Sequence, residues 1–222
     1  MIPYPPFDTA ESIFGNRFIR PDNCSAFTYT QPEKNFLAIT LPNESVLRSL
    51  SERKGPIIVP APPGDMFDWD LHDLIQKMNL RLPESICREK FSRDERLKRG
   101  WIILEPYVRE TSVSTGLTKD EQTDILLKFR HLPLSLRPAK AVEVIYALKM
   151  MNLERGELDF WSSIRDMTVR TASRLQHESE PRYTDQVITI SEDVAYDFRL
   201  YPLIPNVHLG EHIVMAGAWE MV

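Results

Sequence analysis

The stretch Pro138-Ala139-Lys140-Ala141-Val142-Glu143-Val144-Ile145-Tyr146-Ala147-Leu148-Lys149-Met150-Met151-Asn152-Leu153 decides the fold. Ala141, Val144, Ile145, Leu148 and Met151 recur at helical spacing, and Val142, Tyr146 and Leu153 widen the apolar face. Only Lys140, Glu143 and Lys149 mark a solvent side. Pro138 suits a first helical turn, where its missing N–H costs nothing, and Gly156 suits a left-handed stop. Burying each large apolar side chain is worth roughly 1.5–3 kcal/mol, so this helix supplies on the order of 10 kcal/mol before entropy is subtracted. It reads as a core helix around which the other elements pack.

Working outward, the N-terminal side is rich in proline and predicts short elements with rigid joints. Asp8 or Thr9 opens a brief helix ending at Gly15-Asn16, and Phe36-Leu37-Ala38-Ile39-Thr40 reads as a buried strand. Asn43 caps a helix holding Val46, Leu47 and Leu50. Ile57-Ile58-Val59 and Trp101-Ile102-Ile103-Leu104 read as strands, and Leu71, Leu74, Ile75 and Met78 as one face of a helix between them. That alternation suggests an α/β-like half with some parallel pairing.

On the C-terminal side, Thr118 and Glu121 form a capping-box pattern that opens a helix through Phe129. Met167–Arg174, Val187–Ile190, Tyr196–Tyr201 and Ile213–Ala216 read as strands. The predicted class is α+β, with two helices packed on an antiparallel sheet in this half. The polar run Ser112-Val113-Ser114-Thr115-Gly116 is the candidate linker. It divides the chain into 1–111 and 117–222, unless the two form one continuous domain.

Four segments then occur in order: Gly100-Trp101-Ile102-Ile103-Leu104, Arg137-Pro138-Ala139 leading to Val144-Ile145-Tyr146, Gly156-Glu157-Leu158-Asp159-Phe160, and Val169-Arg170-Thr171. The arrangement resembles a family of uncharacterised proteins of about this size from gut-dwelling Bacteroides-type bacteria, across residues 100–200. The resemblance implies a bacterial origin. That family carries no established activity, so no catalytic residue is implied.

The formal net charge of −5 argues against broad nucleic-acid binding, which needs a basic face. Two cysteines, Cys24 and Cys87, make no disulfide framework and fit a reducing compartment. There is neither a membrane-length apolar run nor a signal-peptide pattern, so the expected location is cytoplasmic.

Several constellations resemble chemical sites. His208-Leu209-Gly210-Glu211-His212 matches the H-x-x-E-H signature of inverted zinc peptidases, which needs both imidazoles on one helical face. Gly210 at its centre, and Pro202 and Pro205 before it, favour a turn with solvated histidines instead. Asp65, Asp68, Asp70, His72 and Asp73 could surround a divalent cation, but carboxylates there serve the start of the Leu71–Met78 helix, with only Asp73 left over. Arg88, Lys90, Arg93, Arg96, Lys98 and Arg99 are diluted by Glu89, Asp94 and Glu95, and read as a solvated helical face. Arg170, Arg174 and Arg199, with Asp197, are candidates to gather on one sheet face and hold an anion, with cross-strand ion pairing the alternative. Trp161, Trp219, Tyr183 and Tyr201 are read as core or edge aromatics.

No nucleophilic elbow or phosphate loop is present, and no cofactor is expected. The expectation is a non-enzymatic bacterial binding or accessory protein that acts through a protein-interaction surface, on a partner or on a second copy of itself. The alternatives are a metal-dependent hydrolase using His208, Glu211 and His212, and nucleic-acid binding through Arg88–Arg99.

Overall fold

The computed structural model describes residues 7–53, 55–64, 69–111, 117–131, 134–155, 168–174, 187–191, 199–203 and 213–221. In chain order the first part contributes α1 (Phe7–Phe14), α2 (Gln31–Thr40), α3 (Glu44–Glu52), β1 (Ile57–Pro60), α4 (Leu71–Met78), α5 (Glu84–Cys87), α6 (Phe91–Asp94) and β2 (Trp101–Glu105). There follow α7 (Lys119–Leu127), β3 (Arg130–His131), β4 (Leu134–Pro138), α8 (Ala141–Arg155), β5 (Thr168–Arg174), β6 (Val187–Ser191), β7 (Arg199–Leu203), β8 (Ile213–Met215) and β9 (Gly217–Met221). The fold is α+β.

Residues 141–151 of α8 are buried on every side. The cause is layering: α8 touches β1 and β2 of one sheet, and β5 and β6 of another. A helix held between two sheets has no solvent side, which corrects the expectation for Glu143 and Lys149. Glu143 is instead clamped by Arg137 at 2.5 and 2.9 Å and by the Lys140 amide at 2.8 Å.

The first sheet has the order β1-β2-β9-β4-β3 and the second β7-β6-β5-β8. Within the first, Ile57, Val59, Ile102, Leu104 and Ala218 join the core around α8. Alternate residues Ile58, Ile103 and Trp219 turn to the opposite core, with Phe14, Leu47, Leu50 and Leu126. Strand β9 pairs with β2 on one side and β4 on the other, so this sheet draws strands from both sides of residues 112–116. β1 and β2 are antiparallel, which corrects the parallel expectation. The parallel strand pair among the described residues is β5 with β8.

Asn43 caps α3 by accepting the Val46 N–H at 3.1 Å, and Asp70 and Thr118 cap α4 and α7. One segment departs from its strand-like composition. Phe36–Thr40 is the second half of α2, where only Leu37 is buried and Ile39 is 56% exposed. Glu33 reaches back to the Thr30 N–H and hydroxyl at 2.6 and 2.7 Å, and Pro32 sits in the first turn, so the helix start overrides the strand-like run.

Candidate anion-binding site

Arg170 lies in the middle of β5, paired with Thr189 of β6 and Met215 of β8. It heads the largest fully buried side chains and is 1% exposed. Its neighbourhood is built by a short polar relay. The capping box at Thr118 and Glu121 starts α7 so that Gln122, one turn in, faces inward with no exposure. Gln122 accepts from Arg170 Nη1 at 2.7 Å, and donates through Nε2 to the Thr111 carbonyl at 2.7 Å. The Thr111 hydroxyl donates to the Val108 carbonyl at 2.7 Å and accepts the Met215 amide at 3.0 Å. The relay therefore ties β5 to α7, to the 3-10 turn Arg109–Thr111 and to β8.

What this relay lacks is negative charge. Among the described residues no carboxylate pairs with Arg170, and its Nε is buried without an acceptor. Burial alone pulls its pKa downward. A guanidinium has five donors and does not surrender its proton inside a protein, so it cannot escape burial as a lysine does. An uncompensated buried ion costs several kcal/mol, and one neutral amide offsets little of that. An oxygen of a carboxylate or phosphate fits the Nε side of this fork, because a charged acceptor makes the stronger bond to a guanidinium N–H.

The other arginines of the sequence-based cluster are not gathered at this point. Arg174 lies at the exposed end of β5, beyond a register irregularity that separates it from Arg170. Arg199 pairs with Ser191 on the far side of β6, whereas the β7 position in Arg170's row is Tyr201. Asp197 lies outside the described residues, as do Trp161 and Tyr183.

The remaining candidates have structural explanations or lie outside the described residues. His208, Glu211 and His212 lie outside the described residues, together with Asp65 and Asp68. Asp73 is the returning member of the α4 capping box, reaching the Asp70 N–H at 3.1 Å while Asp70 accepts the Asp73 N–H at 3.0 Å. Asp70 also pairs with Arg96 at 2.9 Å. Among the described residues no group of His, Cys, Asp and Glu is arranged to hold a metal ion.

The basic stretch is not one helical face. It is broken between α5, α6 and an extended tail, and Arg88, Lys90, Arg96 and Lys98 all face carboxylates. Cys24 donates to Glu154 at 3.4 Å, and burial with that carboxylate pushes its thiol up to about 12, leaving no thiolate at neutral pH.

Exposed large apolar residues among those described are Ile39, Leu127 and Leu153, on three different helices. No described helix is long and apolar enough to cross a membrane. The chain matches no family model, no curated protein and no solved structure. Geometry alone therefore carries the functional reading.

Proposed function

We propose that this chain is a non-catalytic binding protein whose ligand presents a carboxylate or phosphate group to Arg170. The observation that supports it is a fully buried guanidinium whose only acceptor among the described residues is a neutral amide. The relay through Gln122 and Thr111 holds the fork in place before the anion arrives, which lowers the ordering cost of binding. Among the described residues no group of His, Cys, Asp and Glu is arranged to hold a metal ion beside the fork.

The test is thermal unfolding of wild type and Arg170→Met at constant ionic strength, in chloride and then with added phosphate or citrate. Wild type gains stability saturably, by about 2.7 kcal/mol at a hundredfold excess over Kd, and the variant does not. Equal responses in the two proteins, or none in wild type, overturn the proposal. So does an unresponsive wild type from which Arg170→Met removes about 3–5 kcal/mol, the mark of an internal carboxylate partner.

A further inference from the structure

β2 and β9 pair at Ile103–Trp219, Leu104–Ala218 and Glu105–Gly217, and their ladder stops there. β2 nevertheless continues along β1 as far as Trp101, and β9 continues along β4 as far as Met221. Two neighbouring strands of one sheet thus part over the first two residues of β2 and the last two of β9, each still held from its outer side. The opening is a cleft of about 370 Å³, within the size range of small-molecule sites.

The walls combine an apolar surface with charges in unequal states of satisfaction. Trp101, Ile103, Leu134, Ala218 and Trp219 supply the apolar lining. Trp101 is braced from behind by Phe18, with ring centroids 5.3 Å apart, and its Nε1 donates to the Leu37 carbonyl at 2.7 Å. Both carboxylates of the cleft are committed to Arg137: Glu143 at 2.5 and 2.9 Å, and Glu220 at 2.8 Å. Lys98 donates to Glu220 at 3.2 Å and otherwise reaches into solvent, its side chain 70% exposed. An ammonium has three donors, so two remain. Gly100 explains the placement: its φ of +102° turns the chain out of β2 and hangs Lys98 and Arg99 over the mouth.

We infer that this cleft is a second ligand site, independent of Arg170, for a small organic acid. Its carboxylate meets Lys98 at the mouth, and its apolar or aromatic body lies against Trp101 and Ile103. An amine is not the favoured headgroup, because both carboxylates already bond Arg137 and the charged lining, Lys98, Arg99 and Arg137 against Glu143 and Glu220, is positive on balance. A cleft of about 370 Å³ takes a small molecule rather than a polypeptide.

The probes are benzoate and its neutral counterpart benzamide, titrated into the full chain while the Trp101 indole N–H resonance is followed. Benzoate binds saturably and shifts that resonance, with benzamide weaker by about tenfold. Lys98→Gln brings benzoate down to the benzamide level, Thr40→Trp blocks both by filling the mouth, and Arg170→Met leaves both unchanged. Absence of saturation, equal affinity for the two probes, or full benzoate affinity in Lys98→Gln overturns the inference. Loss of binding in Arg170→Met alone also overturns it, by placing the acid at the other site.

Discussion

Ser173 donates to the Glu95 carboxylate at 2.6 Å while its hydroxyl oxygen accepts the Ala141 amide at 2.7 Å. A carboxylate from the loop after α6 is thereby held beneath the first turn of α8 by a serine from β5. Burial raises the Glu95 pKa, and the hydrogen bond from Ser173 only moderates that rise. The folded carboxyl therefore binds its proton at a higher pH than the unfolded one near 4.5. Its penalty is fully present above the raised pKa and disappears as pH falls towards the unfolded value. Urea unfolding of wild type and Glu95→Gln across that range is expected to show the difference moving in favour of wild type as pH drops. A flat difference would refute the assignment.

Among the described residues Glu105 is the other buried carboxylate with an upward shift, again from burial, despite a bidentate Arg53 at 2.7 and 2.8 Å. Trp219 Nε1 adds a third donor at 3.3 Å. Arg53→Met leaves this carboxylate with the indole alone and is expected to cost about 3–5 kcal/mol at neutral pH. The loss shrinks as acid protonates Glu105, since a neutral carboxyl no longer needs the guanidinium. Glu105→Gln, which keeps shape and sheds charge, is expected to cost less than Arg53→Met; the reverse order in denaturant midpoints would count against this account.

Local chemistry was the legible part of this chain. Asn43, Asp70 and Thr118 announce helix starts because a cap and its recipient amide lie within three residues. The same logic holds at Thr30 and Glu33, where the apolar look of Phe36–Thr40 competes with it, and at Asp73, which stands among other acids. The sheet order was not legible. β9 lies between β2 and β4, and the Trp219–Glu105 bond that marks this joins residues 114 apart, a relation without local pattern.

The candidate sites divide along the same line. Arg170 could be named as an anion-binding arginine, but its isolation depends on Gln122, 48 residues away, and on a sheet that assembles late in the chain. The cleft leaves one local trace, Gly100, whose left-handed backbone reads in sequence only as a strand entry.

Gly217 carries a sharper steric prediction. A Cβ there would stand 2.6 Å from Leu136 Cδ1 and 3.0 Å from its Cγ, and Leu136 is 1% exposed in a filled core. Gly217→Ala is expected to cost about 1–3 kcal/mol through overpacking. Leu136→Ala removes the colliding atoms, so the alanine at 217 becomes nearly neutral in that background. A double-mutant cycle with no coupling between the two positions would exclude this cause.

Gln122 is where the binding proposal meets stability most directly. Gln122→Leu orphans the Thr111 carbonyl and takes away Arg170's neutral partner, and each buried orphan costs about 1–3 kcal/mol, more when charged. Gln122→Glu also loses the bond to Thr111 but sets a carboxylate against the guanidinium. Attraction between buried opposite charges outweighs one lost amide bond, so in chloride Gln122→Glu should be the more stable of the two. It should also abolish the phosphate response, since the fork is then occupied from within. Chemical denaturation of both variants with and without phosphate tests this; a Gln122→Glu protein that still gains stability from phosphate would show that the anion binds away from Arg170.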